Sequence, residues 1–168
     1  GIDPTAGGSR RRELRDQIGI VLQTSGIEPE ITPHEALTLF GAVYRNPYSL
    51  SDVVERVGLD DLVDQRVGSL SGGQRRRLDL AVAVIGRPRV LFLDEPTTGL
   101  SLAAVHQLIE VLLRLRRNGH TVIIIEHHLD VIKCADWVLD LGPEGGEMGG
   151  LVVAEGPPEK IAKNPDSY

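Results

Sequence analysis

The sequence predicts an α/β fold built around a parallel sheet, and three observations predict it. Short apolar runs rich in β-branched residues stand at 18–22, 90–93 and 121–125, as buried strands require. Stretches with helical apolar spacing separate them, and strand–helix alternation favours parallel pairing. Each run also hands over at once to polar residues, and parallel sheets bind ligands beyond the carboxyl ends of their strands.

The elements follow in order. Residues 3–9, rich in Gly, Pro and Ser, read as a loop. The run at 18–22 is the first strand, and Gln23-Thr24-Ser25-Gly26 breaks it. Thr32 and Glu35 have the spacing of a capping box, with Pro33 at the first helical position. Ala36, Leu37, Leu39, Phe40, Val43 and Tyr44 supply the apolar stripe of the helix that follows. Residues 50–57 and 59–63 read as two further short helices, so that 31–67 forms a small helical region inserted after a strand. A helix over 74–85 carries Leu78, Ala81, Val82 and Ile85, and Arg87-Pro88 ends it. The continuous apolar run at 90–93 is expected to be buried on both faces.

An amphipathic helix over 102–117 closes with Arg114, Arg116 and Arg117, which suit the negative helix end, and Asn118-Gly119 stops it. The run at 121–125 is expected to be a second buried strand, followed by a short helix at 129–135. Two more strands are expected at 137–141 and 151–154, joined through a glycine-rich turn at 145–150, before a short terminal helix.

Length and composition bound the function. The 168 residues are 41% hydrophobic and 25% charged, enough for one domain with a real core. The net charge of −6 opposes a general nucleic-acid-coating role and leaves room for a local basic patch. The arginine runs at 10–12 and 75–77 are expected to be solvated helix faces. No apolar run approaches the ~20 residues that span a bilayer, and the amino terminus lacks the layout of a signal peptide. A membrane role therefore calls for a partner subunit. Cys134 is the only cysteine, which excludes an internal disulfide and fits a cytoplasmic location.

Two motifs carry chemistry. At Asp94-Glu95-Pro96 an apolar strand delivers adjacent carboxylates to its end. Asp94 is placed to hold Mg²⁺, directly or through water, and Glu95 to polarise a water for in-line attack on a phosphate. The same three residues also read as a polar strand end and turn. Leu70-Ser71-Gly72-Gly73-Gln74 immediately precedes a helix. Exposed N–H groups and the positive dipole end suit a phosphate there, and a plain N-cap with a flexible glycine pair is the other reading. His127-His128 with Asp130 fits a capped helix start or a pair of metal ligands.

Together these residues resemble the ATP-binding-cassette (ABC) ATPase family. Residues 70–74 match its signature motif, and 90–96 resemble Walker B with its catalytic glutamate. Gln23 resembles the Q-loop glutamine, His127 the switch histidine, and 31–67 the helical subdomain. The resemblance implies a P-loop NTPase-like parallel sheet that uses ATP and Mg²⁺. It implies Gln23 as a Mg²⁺ or water ligand, Asp94 as Mg²⁺ support, Glu95 as general base and His127 as a γ-phosphate contact. Ser71, Gly72, Gly73 and Gln74 are implied to face ATP bound to a second ABC ATPase domain in a head-to-tail dimer.

The chain contains no G-x-x-x-x-G-K-[ST], and only residues 1–22 precede Gln23. The first strands and the P-loop are therefore expected to be missing from this partial domain, along with measurable ATP turnover. Residues 1–93 resemble bacterial multidrug or daunorubicin-resistance exporter ATPase subunits, which implies membrane permease partners on the inner face of the membrane. From residue 94 onward the chain resembles the C-terminal ATPase domain of the UvrA family of excision-repair proteins, which implies DNA. Ser101 replaces the aspartate usual in the transporter D-loop. The chain thus reads as a hybrid, engineered or natural, joined near 94–100, with the export lineage ranked first for its first half.

Overall fold

The computed structural model describes residues 14, 16–24, 26–142 and 150–164. They fall into two compact units, one running to Ile125 and one beginning at Glu126. The expected loop at 3–9 and the arginine run at 10–12 lie outside the described residues.

In the first unit, β1 (Ile18–Val21), β2 (Val90–Asp94) and β3 (Thr121–Ile125) form a parallel sheet in the order β1-β2-β3. Ile18 pairs with Val90 and Val21 with Leu93; Val90 pairs with Thr121 and Asp94 with Ile125. This register brings the ends of β1 and β2 side by side, which places the site.

Helix α1 (Pro33–Gly41) starts as its sequence dictates, with a complete Thr32–Glu35 capping box and Pro33 in the first turn. Ala36 and Leu37 are buried, whereas Leu39 faces solvent and Val43 lies exposed beyond the helix, against the expected stripe. Helix α2 (Leu50–Val57) ends on Gly58 at φ +66°, where the left-handed cap needs a glycine. The helix expected at 59–63 is a single 3₁₀ turn at Asp60–Leu62. Another 3₁₀ turn at Val67–Ser69 leads into α3 (Gly72–Val84). Helix α4 (Leu102–Arg117) buries Val105, Leu108, Ile109, Val111, Leu112 and Leu115 along one face. Each such side chain contributes ~1.5–3 kcal/mol when fully withdrawn from water. Gly119 follows the helix at φ +91°, as the Asn-Gly stop predicts.

Two expectations about burial fail together. Leu91 and Leu93 are buried with Val21 against the helices, but Phe92 is 41% exposed. Ile20 (60%), Ile123 (43%) and Ile125 (64%) open to the same side of the sheet. The described helices of this unit cover one face only, so β2 and β3 are not buried on both.

The arginine run on α3 is also not a solvated face. Arg76 is 6% exposed, and each of the three arginines donates to a different loop. Arg75 reaches the Val67 carbonyl at 3.4 Å, Arg76 those of Leu22 and Gln23, and Arg77 that of Gly58 at 2.6 Å. Burial draws the Arg77 guanidinium below its ordinary range, yet an arginine stays charged. Its bond to Gly58 and those of Arg114 to the Glu55 and Arg56 carbonyls place cations on the negative end of α2.

The second unit holds α5 (Leu129–Ile132), β4 (Val138–Gly142), β5 (Leu151–Gly156) and α6 (Pro158–Ile161). Both expected strands form, and they pair antiparallel, from Val138 with Gly156 to Gly142 with Leu151. A parallel pair would need a crossover of a dozen residues or more, and the connection is too short for one. The expected turn at 145–150 lies outside the described residues except for Gly150, at φ +83°. Helix α6 packs on both strands of this hairpin.

Candidate functional site

The site begins where β1 and β2 end. Parallel pairing and matched register bring Gln23, two residues past β1, to Glu95, one residue past β2. Gln23 Nε2 donates to Glu95 Oε2 at 2.9 Å, and Thr98 Oγ1 donates to the same oxygen at 3.1 Å. The Glu95 N–H donates to the Ile125 carbonyl at 3.0 Å, extending the ladder to β3. Glu95 has φ +41°, a conformation disfavoured for a residue with a side chain, and such strain costs ~1–3 kcal/mol. Asp94 is the last residue of β2 and exposed. The two adjacent carboxylates therefore do different things: one is tied to Gln23 and Thr98, the other opens to solvent.

The Gln23–Glu95 bond is solvent-exposed, and a bond to a carboxylate nets ~1.5–3 kcal/mol. Immobilising a glutamine side chain costs up to ~1.5–2 kcal/mol, which offsets much of that and leaves the bond little surplus to hold its own loop. The main chain is held instead from α3: Arg76 Nη1 donates to the Leu22 carbonyl at 2.7 Å and Nη2 to the Gln23 carbonyl at 2.9 Å. Asp79, one turn along, lies 3.8 Å from Arg76.

Ser71, Gly72, Gly73 and Gln74 form a second group at the start of α3. Ser71 Oγ accepts from the Gln74 N–H at 3.3 Å, and Gln74 Oε1 accepts from the Ser71 N–H at 2.8 Å. The N-cap reading is thus correct, and it leaves the remaining first-turn N–H groups for other acceptors. The two glycines differ. A Cβ on Gly73 would stand 2.8 Å from Ala104 Cβ, so packing of α3 on α4 demands that glycine. A Cβ on Gly72 would meet only Leu100 Cδ2 at 3.5 Å, an ordinary contact. Ser101 caps α4, its Oγ accepting from the Ala104 N–H at 3.3 Å, which an aspartate would do equally well.

His127 belongs to the second unit and follows β3 by two residues in the chain. Its backbone N–H and that of His128 both donate to Glu126 Oε2, at 2.9 and 3.0 Å. The His127 ring is 80% exposed. His128 Nδ1 accepts from the Asp130 N–H at 3.3 Å and caps α5. Of the two readings kept for this pair, the capped helix start describes His128.

Sequence reasoning missed Arg76 and Thr98. Thr98 stands three residues after Glu95, the reach of a hydroxyl back across a turn. Arg76 shares a helical face with Leu80 and Ala83, both buried, and that spacing was the available sign.

Known proteins bear on this arrangement. The ABC transporter family profile matches residues 1–98. UvrABC system protein A of Bradyrhizobium diazoefficiens is 51% identical over 164 residues, covering 94% of this chain and 16% of that protein. The protein of the same name from Aquifex aeolicus is 50% identical over 146 residues, covering 83% of this chain and 15% of its own length. The chain thus spans about a sixth of these relatives, and the first alignment runs through both sides of Glu95. Among solved structures, cbiO1 from Clostridium perfringens, part of the ABC transporter complex cbiONQ, is similar at a TM-score of 0.80 and 26% identity, covering 98% of this chain and 66% of that one. An ATP-binding cassette of an ABC transporter in its ADP conformation shares the fold, at a TM-score of 0.73 and 24% identity, over 92% of this chain and 67% of that one. Among the described residues no helix is long and apolar enough to cross a membrane. The chain belongs to the ABC transporter family and is an ABC-type ATPase domain resembling UvrA.

Proposed function

We propose that the chain supplies the water-activating and partner-facing parts of an ATP site in a cytoplasmic, UvrA-like repair ATPase. One observation carries this reading: the Glu95 carboxylate, at the end of β2, is held at 2.9 Å by Gln23 from the neighbouring strand end. Glu95 takes a proton from water as the water oxygen bonds to the γ-phosphorus and the bond from that phosphorus to the ADP oxygen breaks, and phosphoryl transfer of this kind is mostly placement of charge and nucleophile. Gln23 uses Nε2 on Glu95, so the oxygen it can offer a water or a cation is Oε1. For His127, whose ring is 80% exposed, the family resemblance is what supports the role of γ-phosphate contact.

The donor set suits Mg²⁺. Among the described residues no group of three or more His, Cys, Asp or Glu side chains converges, and Mg²⁺ does not need one, because it is held by one or two carboxylates with phosphate and water. Asp94, exposed at a strand end, and Gln23 would hold it. When bound, Mg²⁺ offsets charge on the phosphate oxygens.

Ser71, Gly72, Gly73 and Gln74 face ATP on a second ABC ATPase domain. Support for this role lies in Gly72, whose missing Cβ packing does not demand; close approach of a phosphate does. These residues do not supply the lysine and backbone cradle of a P-loop, since the sequence contains no G-x-x-x-x-G-K-[ST].

The repair reading ranks first because identity to UvrABC system protein A reaches 51% across both halves. Likeness to a subunit of the cbiONQ transporter complex favours export as the second reading, with a membrane permease as partner. Calorimetry with Mg-ATP tests the site. The chain alone is expected to give little heat. Preceded by the P-loop segment of a relative, it is expected to bind, and Asp94→Asn to weaken that binding. Equal binding with and without the P-loop would overturn the reading. Salt-sensitive binding to damaged duplex DNA supports repair, and co-purification with a permease supports export.

A further inference from the structure

We propose that Arg76 is a positioning residue for hydrolysis: it fixes the main chain at Leu22 and Gln23 so that the Gln23 amide stays on Glu95. The inference rests on reading Glu95 as the water-activating base. Pairing of β1 with β2 stops at Val21, so the next two carbonyls leave the sheet without a ladder partner. Backbone acceptors in that position must find a donor. Arg76 provides one for each, at 2.7 and 2.9 Å, from a side chain more than nine-tenths buried.

The guanidinium is suited to this because its planar fork presents two donors in fixed geometry, and Asp79 lies beside it at 3.8 Å. A lysine keeps the charge and loses the fork. The bond from Gln23 to Glu95 is exposed, and the entropy of the side chain that makes it offsets much of its strength. The register of Gln23 against the base is therefore set from α3.

The consequence is a physical link between two groups that sequence treats as separate. Ser71 to Gln74 form the first turn of α3, and Arg76 lies in the next turn of the same helix. Whatever engages the start of α3 and tilts it also pulls on the Gln23 carbonyl, and through the Gln23 side chain on Glu95 Oε2. A partner domain seated on Ser71 and Gly72 thereby adjusts the base without touching it.

The test is NMR of the ¹⁵N-labelled chain without nucleotide. The Gln23 side-chain NH₂ pair, assigned by its loss in Gln23→Ala, is expected to shift in Glu95→Gln. In Arg76→Lys the pair is expected to move to the position of a free amide and to lose its response to Glu95→Gln in the double variant. Asp79→Asn, which loosens Arg76 without replacing it, is expected to move it part of the way, and decides the matter if Arg76→Lys does not fold. A merely structural arginine would change the melting temperature and leave this coupling intact. Overturning results are a wild-type amide indifferent to Glu95→Gln, or an amide that still responds to Glu95→Gln unchanged in a folded Arg76→Lys or Asp79→Asn background. No nucleotide enters the experiment, so such a failure leaves the role of Glu95 standing, to be judged by ATP hydrolysis in Glu95→Gln of the chain preceded by the P-loop segment of a relative.

Discussion

At the start of α1, Thr32 Oγ1 accepts from the Glu35 N–H at 3.2 Å and Glu35 Oε2 accepts from the Thr32 N–H at 2.8 Å. At the start of α3, Ser71 and Gln74 make the same pair of bonds at 3.3 and 2.8 Å. The cap geometry is the same, so it does not distinguish a helix start that serves the fold from one that serves a ligand. Two other things do. Helix α1 continues with Pro33, which presets φ, and His34, which is exposed; α3 continues with Gly72 and Gly73, the latter pressed on Ala104. Helix α1 closes its box with a carboxylate in the first turn, whereas the first turn of α3 has no acidic residue. The positive end of α1 is offset by its own side chain, and that of α3 is left for another anion.

The strongest way to break this comparison is to give α3 the residue α1 carries at the same place. Gly73→His must push against Ala104 Cβ and Cα, which move only with α4. Overpacking of this kind costs ~2–3 kcal/mol, read as a fall in the urea midpoint. The reciprocal His34→Gly alters an exposed position and is expected to cost about 0.5–1 kcal/mol through backbone entropy. Equal losses in the two variants would show that α4 gives way and that Gly73 is not fixed by packing.

The same contrast explains what the sequence disclosed. Caps, strands and helix stops are local, so Thr32 with Glu35, the run at 121–125 and Asn118-Gly119 were legible from a few neighbouring residues. Gln23, Asp94 and Glu95 were legible as strand-end residues because parallel strands place their carboxyl ends together. Burial was less legible, because it depends on what lies across the sheet. Phe92 and Ile123 are as apolar as Leu91 and Leu93, and only the one-sided placement of the described helices separates them. The arginines at 75–77 misled for a related reason. A charge run usually means solvent, but Arg76 points with Leu80 and Ala83 toward the core and there satisfies the Leu22 and Gln23 carbonyls. The hairpin of β4 and β5 departs from strand–helix alternation because the connection between those strands is too short for a crossover.

Smaller changes sharpen the comparison. Ser71→Ala and Thr32→Ala each remove one cap acceptor and are expected to cost ~1 kcal/mol in chemical denaturation. A loss confined to Thr32→Ala would mean that another group already satisfies the Gln74 N–H. Gly72→Ala, free of close contacts, is expected to raise stability by about 0.5 kcal/mol through the unfolded chain. That sign, opposite to Gly73→His one residue away, separates the glycine kept for approach from the glycine kept for packing.

The smallest expected effect isolates charge from geometry. Gln74→Glu keeps both bonds of the box and adds a carboxylate to the first turn of α3, so it should stabilise by ~0.3–1 kcal/mol at low salt. Glu35→Gln keeps the box of α1 and removes its charge, so it should destabilise by a similar amount. Both shifts are expected to shrink toward zero at ~1 M salt, where the Debye length is about 3 Å. If Gln74→Glu leaves the low-salt melting temperature unchanged while Glu35→Gln lowers it, the positive end of α3 is already offset by another group. The contrast between the two helix starts would then lie in packing at Gly73 alone.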